Sequence, residues 1–150
     1  MVLWRISNYT DLYGIGGLKA SARWHSRGRR VVYLSSTPAS ALLEILVHLE
    51  IEEDRLPRSY KLLEVQVSDD ISIEKIEDRA NLPKGWQKKQ SVTQALGDQW
   101  LAGNSSALLQ VPSALVPHTS NFLLNPLHRD AARILVASVS RQGLDRRLIQ

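Results

Sequence analysis

The feature that most constrains the fold is an excess of strand-like over helix-like segments. Six segments are β-branched, aromatic or alternately apolar and polar, as strands are, whereas two have helical periodicity. Because the helical segments do not alternate regularly with the strands, a doubly wound parallel sheet is excluded and an α+β fold is favoured. The strand-like segments are 2–7, 31–35, 59–68, 71–76, 107–117 and 132–140, and the helix-like ones are about 38–50 and 91–103.

Length and composition limit the classes of protein further. A chain of 150 residues with 43% apolar and 23% charged residues and no repeat predicts one folded domain over residues 1–150. The absence of cysteine excludes disulfides, thiolate nucleophiles and cysteine-ligated zinc, and the four histidines have no metal-binding spacing. No signal peptide and no apolar run of about 18 residues is present, which predicts a cytoplasmic protein without a membrane anchor.

A basic stretch, "RWHSRGRR", places four arginines in eight residues of a chain with a net charge of +4. Such a stretch attracts phosphates of every kind, so it is equally compatible with a solvated loop, a nucleotide site or a nucleic-acid-binding module. No zinc-finger, helix-turn-helix or aromatic RNA-binding motif supports the last alternative.

The segment "YGIGGLKAS" (13–21) is rich in glycine. Its three glycines allow tight turns and close backbone approach, and the segment is predicted to be a connection. It matches neither the P-loop nor the dinucleotide-binding pattern, since no "GK[ST]" ending and no helix signal follow it.

The helix predicted from Pro38 to about Glu50 is unusually apolar. Thr37 is placed to cap it and Pro38 suits its first turn. At 100° per residue the apolar side chains cover more than half of the circumference, so this helix is expected to be buried on most sides. Those side chains are Leu42, Leu43, Ile45, Leu46, Val47 and Leu49.

Glu44 and His48 are the polar residues in the central turns of this helix. Their i, i+4 spacing places one above the other on the remaining face. That face either meets water, as many exposed helix edges do, or lines a cleft.

An arginine loop, a strand bearing Tyr33 and a helix bearing Glu44 follow one another within 22 residues, so their side chains can converge on one ligand. Arginine binds phosphate oxygens, a tyrosine ring stacks on a flat heterocycle, and a carboxylate accepts ribose hydroxyls or stabilises a cationic sugar. A phosphorylated nucleoside with a cleavable glycosidic bond would use all three.

The order and spacing of several motifs resemble those of the RES-domain family, the toxins of bacterial RES–Xre toxin–antitoxin modules. The resemblance covers nearly the whole chain, through "WRIS", "ARWHSRGRRVVYLSSTPASALLEILVHLE", "GDQWLAGNSSALLQVPSALVP" and "NFLLNPLHRDAARI". It implies a fold like that of the diphtheria-type ADP-ribosyltransferases, with a central split β-sheet and flanking helices. It also implies an enzyme that cleaves the nicotinamide–ribose bond of NAD.

The resemblance assigns roles to residues by position. Arg23 would hold the phosphates or ribose of NAD beside Trp24, Tyr33 would stack on the nicotinamide, and Glu44 would bind the ribose and stabilise the oxocarbenium-like transition state. Ser113 would support the pocket, with Asn121 on the same wall. The neighbouring Ser105 and Ser106 are alternatives to Ser113.

The basic loop departs from the usual family sequence, which is close to "GRWNSPG". Here Ala22, His25 and Arg27 replace the glycine, asparagine and proline. Asp98, in "GDQWL", also fits the family pattern, but a surface or local hydrogen-bonding role is expected for it.

The function implied by the resemblance is that of a toxin that degrades NAD by hydrolysis or phosphorolysis, with NAD as substrate and no other cofactor. An Xre-like antitoxin would cover the cleft, and contact with DNA would come only through that antitoxin. Two alternatives remain open: a protein ADP-ribosyltransferase, and a non-catalytic nucleic-acid-binding module built on the basic loop.

Overall fold

A computed structural model describes residues 1–48 and 57–149. All seven of their strands belong to one sheet, ordered β4-β5-β6-β2-β1-β3-β7, in which only β4 and β5 pair in parallel. The elements are β1 (Val2–Ile6), α1 (Ile15–Lys19), β2 (Val32–Ser35), α2 (Pro38–His48), β3 (Ser59–Val67), β4 (Ile73–Lys75), α3 (Gln90–Gly103), β5 (Leu108–Pro112), β6 (Ser120–Leu124) and β7 (Ile134–Gly143), with 3-10 turns at Ile76–Asp78, Trp86–Lys88, Arg129–Arg133 and Arg146–Ile149.

The sheet is nearly divided between β1 and β2. These two strands pair only at Trp4 and Ser35, whereas β1 pairs with β3 along its whole length and β2 does so with β6. Helix α2 follows β2 after a short turn and packs against both β1 and β2. The expected α+β fold with a split sheet is therefore confirmed, and the split opens a cleft in the middle of the molecule.

The core forms two clusters because alternate residues of each strand point to opposite faces of the sheet. In β2, Val32 and Leu34 join one cluster, while Val31, just before the strand, and Tyr33 pack in the other. Trp100 of α3 is fully buried in this second cluster. Tyr33 is thereby fixed on the face of the sheet that α3 covers.

The structure corrects several boundaries. The glycine-rich segment contains a short helix, α1, where only a connection was expected. The predicted strand 107–117 ends at Pro112, and β6 was not predicted as a strand at all. The strand predicted over 132–140 runs from Ile134 to Gly143, and the expected end of α2 at about residue 50 lies outside the described residues.

The expectation that α2 is buried on most sides was wrong. Of its described residues only Ala41 is fully buried, while Leu43 is 38% and Val47 is 55% exposed. The predicted cap is confirmed, since Thr37 Oγ1 accepts the backbone N–H of Ser40 at 3.0 Å. Among the described helices, none is both long enough and apolar enough to cross a membrane.

Candidate active site

A cavity of about 320 Å³ lies where β1 and β2 diverge. Its walls come from β1, α1, the loop before β2, β2 itself and α2, and from Pro112, Ala114 and Asn121. Clefts of this size hold small ligands or parts of larger ones. Its ionisable lining residues are Arg5, Arg23, His25, Tyr33, Glu44 and His48. Glu44 therefore lines the cleft, whereas His48, at the end of α2, both lines it and is exposed to solvent.

Glu44 is held in this cavity by two polar side chains. Asn121 Nδ2 and Ser113 Oγ both donate to Glu44 Oε1, at 2.8 Å and 3.2 Å. Within residues 1–48 and 57–149, Glu44 Oε2 accepts no hydrogen bond, and Asn121 Oδ1 is buried without a partner. The carboxylate is thus fixed through one oxygen and keeps the other for a ligand that carries hydrogen-bond donors.

Ser113 reaches the cavity through Glu44 and not directly. It follows β5, and its Oγ also accepts the backbone N–H groups of Leu115 and Val116 at 3.1 Å and 3.2 Å. Ser105 instead donates to Glu74, and Ser106 accepts from the indole of Trp100. Of the three candidate serines, only Ser113 contacts Glu44.

Replacing Ser113 with alanine is expected to destabilise the protein by about 1–3 kcal/mol, because two N–H groups of the following turn lose their acceptor. Glu44 loses a donor in the same variant. Thermal denaturation measures the loss. Ser105→Ala is the matched control, because Ser105 is exposed and makes no contact with Glu44; equal melting temperatures for the two variants would contradict this account.

Arg23 lines the cavity, and its Nη1 donates to the carbonyl of Gln87 at 2.9 Å. The segment that carries it is bound to α3. Thr93 Oγ1 donates to the carbonyl of Arg23, and Gln94 Nε2 donates to that of Ala22 at 2.9 Å. The orientation of Arg23 therefore depends on the packing of α3.

Tyr33 lines the cavity, and its hydroxyl is bonded to protein atoms. The backbone N–H of Trp24 donates to this hydroxyl at 3.1 Å, and His25 Nδ1 lies 2.7 Å from it. Burial raises the pKa of the Tyr33 hydroxyl well above its usual range, an effect that the hydrogen bond from Trp24 only partly opposes. The Tyr33 hydroxyl is thus kept in its protonated form and is engaged with protein atoms on both sides.

Trp24 is only 3% exposed, although its position lines the cavity. Its ring packs against Trp86 with the centroids 5.8 Å apart. It therefore belongs to the second core cluster and supports the wall beneath Arg23 and Tyr33.

The other arginines of the basic loop do not line the cavity. Arg29 Nε lies 3.3 Å from Asp98, which also accepts the backbone N–H of Ser26, and Arg30 donates to the carbonyl of Tyr13. Asp98 thus has a hydrogen-bonding role as expected, but its partners lie in the basic loop, 72 residues away along the chain at Ser26, and not in its own helix. Part of the positive charge of this loop therefore maintains the loop itself.

Arg5 and His25 line the cavity but were not among the predicted site residues. Arg5 Nη1 donates to the carbonyl of Asp11 at 2.7 Å, and burial lowers the pKa of its guanidinium, with Asp11 opposing this effect. An arginine in an otherwise apolar strand, "VLWRI", was the signal that could have identified it. It places a second cation in the cavity besides Arg23.

The sequence matches a known protein family along nearly its whole length. A family model described as "RES domain" matches residues 2–146. The chain is similar to "Toxin Res" of Pseudomonas putida, with 46% identity over 134 residues, 87% of this chain and 88% of that protein. It is also similar to the "Prs ADP-ribosylating toxin" of a Sphingobium species, with 36% identity over 143 residues, 93% of this chain and 88% of that protein.

The fold resembles a chain in the crystal structure of the MbcT–MbcA toxin–antitoxin complex of M. tuberculosis. The match has a TM-score of 0.76 and covers 95% of this chain and 84% of that one. At 14% sequence identity, this likeness concerns the fold alone.

Proposed function

Because this chain belongs to the RES-domain family, we propose that it is the toxin of a bacterial toxin–antitoxin pair and that it cleaves the nicotinamide–ribose bond of NAD. The observation that carries the proposal is the environment of Glu44. Its carboxylate is fixed by Ser113 and Asn121 through one oxygen, and it lies in the same cavity as Arg23 and Tyr33.

Binding of NAD would use groups of three kinds. The guanidinium groups of Arg5 and Arg23 would pair with the diphosphate, since guanidinium binds phosphate oxygens in a bidentate manner. The ring of Tyr33 would stack on the nicotinamide. Glu44 Oε2 and Asn121 Oδ1, both acceptors, would receive the ribose hydroxyls or the carboxamide N–H groups.

The chemical step would need little acid–base catalysis. The bond between the ribose C1′ and the nicotinamide nitrogen breaks, and its electron pair returns to the pyridinium ring, which leaves neutral. The sugar develops oxocarbenium character, which the fixed carboxylate of Glu44 would stabilise. An oxygen of water or phosphate then bonds to C1′, and water loses its proton to solvent.

Incubating the purified protein with NAD, with and without inorganic phosphate, tests this proposal. Free nicotinamide should appear together with ADP-ribose in the absence of phosphate, or with a phosphorylated ADP-ribose when phosphorolysis operates. Chromatography with mass detection identifies both products. Intact NAD after incubation under both conditions would refute the proposal.

A second candidate is a protein ADP-ribosyltransferase, which shares the first half of the reaction. The name of the Sphingobium relative, an ADP-ribosylating toxin, favours it. NAD labelled in its adenine would then transfer label to a macromolecule. In the hydrolytic or phosphorolytic reaction the label stays in small molecules.

We also propose an Xre-like antitoxin as the partner that covers the cavity. The likeness in fold to the toxin of a toxin–antitoxin complex supports it. So does the exposure of Leu43 and Val47 on α2, the helix that carries Glu44, because apolar side chains at a surface favour protein contacts.

A further inference from the structure

His25 is buried beside the cavity, with 2% of its surface exposed, and both of its ring nitrogens face a polar protein atom. Nε2 lies 2.8 Å from the carbonyl oxygen of Ala20, and Nδ1 lies 2.7 Å from the hydroxyl oxygen of Tyr33. The imidazole therefore bridges the end of the α1 segment and β2.

The partners determine where the hydrogens lie. A carbonyl oxygen only accepts, so His25 Nε2 carries the hydrogen that it donates to Ala20. In a neutral imidazole Nδ1 is then an acceptor, and the Tyr33 O–H donates to it. The Tyr33 oxygen in turn accepts the backbone N–H of Trp24. The hydrogen bonds form one directed chain from Trp24 through Tyr33 and His25 to Ala20.

We propose that His25 is a positioning residue for NAD cleavage, which fixes the Tyr33 ring as the stacking wall of the cavity by accepting the tyrosine hydroxyl hydrogen. The catalytic part of this inference rests on the proposed function. The hydrogen-bond chain itself does not depend on any activity.

The bond to His25 acts on Tyr33 in two ways. It engages the hydroxyl hydrogen with His25, so that this O–H is not free to donate to a ligand in the cavity that Tyr33 lines. It also restricts rotation of the ring, because a hydroxyl with both a fixed donor and a fixed acceptor has one preferred position. A preorganised ring loses less freedom when a flat heterocycle stacks on it.

Two substitutions of His25 separate its two hydrogen bonds. The Oδ1 of asparagine can take the place of Nδ1 and accept from Tyr33, whereas the Nε2 of glutamine can take the place of the imidazole Nε2 and donate to Ala20. His25→Asn should therefore reduce kcat/KM for NAD by less than about threefold, and His25→Gln by about tenfold, the value of one ordinary hydrogen bond. Equal losses in the two variants would overturn the proposal.

A second comparison uses Tyr33→Phe as background, because phenylalanine keeps the ring but has no hydroxyl. There His25→Gln should cause no additional loss, since the bond that it breaks is already absent. A full additional tenfold loss in that background would show that His25 acts by another route. Melting temperatures of all variants identify any that fail to fold.

A measurement that does not depend on NAD cleavage tests the hydrogen-bond chain separately from the proposed function. Nitrogen-15 NMR of the wild-type protein should show His25 protonated at Nε2 and unprotonated at Nδ1, and Tyr33→Phe should shift the Nδ1 resonance without changing this tautomer. Protonation at Nδ1 in the neutral ring would overturn the assignment. If this signature is present but NAD stays intact, the hydrogen-bond chain stands and the proposed function fails.

Discussion

Glu44→Gln is expected to lower kcat for NAD cleavage by about 10²–10³-fold, corresponding to about 3–4 kcal/mol of transition-state stabilisation. The amide has nearly the same shape as the carboxylate, so the cavity should remain intact. What it removes is the negative charge opposite the developing oxocarbenium ion and the second acceptor oxygen, because the amide oxygen still accepts from Ser113 and Asn121 while an NH2 group replaces Oε2. Initial rates of nicotinamide release at saturating NAD measure the effect.

Glu77→Gln is the matched control for this variant. Glu77 is exposed in the 3-10 turn at Ile76–Asp78 and does not line the cavity, so its loss of charge should leave the rate unchanged. A Glu44→Gln protein with the control's rate and the wild-type melting temperature would remove Glu44 from the mechanism.

Gly97→Ala is expected to destabilise the protein by about 3 kcal/mol or more, at the upper end of what overpacking causes. A Cβ at position 97 would lie 1.6 Å from the carbonyl oxygen of Trp24, so either α3 or the segment bearing Arg23 and Trp24 must move. For a chain of this length the melting temperature should fall by roughly 6–12 °C. Because the displaced segment carries Arg23, cleavage of NAD should fall as well.

Gly103→Ala provides the control within the same helix. Its added Cβ would meet no atom within 4 Å, and alanine is the better helix former, so the melting temperature should stay the same or rise slightly. Equal melting temperatures for Gly97→Ala and Gly103→Ala would show that α3 and the backbone of Trp24 are not in close contact.

Local structure was predictable where short-range signals are strong. Thr37 and Pro38 identified the start of α2, and the strand patterns located β1, β2, β3, β4 and β7 within three residues of their ends. The sixth predicted segment, 107–117, contains β5 but extends five residues beyond its end. These signals are predictable because they depend on neighbours within a few residues along the chain.

Two elements were missed for physical reasons. β6 contains three consecutive buried residues, Phe122, Leu123 and Leu124, so it lacks the alternation of a half-buried strand. α1 has five residues, two of them glycine, and too little length for helical periodicity. It packs closely on the segment before β2, where a Cβ on Gly17 would lie 2.2 Å from the carbonyl of Arg29.

The exposure of α2 shows a second limit of prediction from sequence, which concerns burial. The apolar pattern of this helix predicted burial on most sides, yet Leu43 and Val47 are exposed. A sequence pattern indicates that a surface is apolar, but it does not indicate whether the chain's own residues cover it.

The sequence by itself determined the α+β class, the start of α2, and Arg23, Tyr33 and Glu44 as candidate residues, since these depend on local pattern and on order along the chain. Only the tertiary structure decided that Ser113, and neither Ser105 nor Ser106, contacts Glu44, and that His25 bonds to Tyr33. The physical reason is distance along the chain: Glu44 is 69 residues from Ser113 and 77 from Asn121, and the order of strands in the split sheet brings them together.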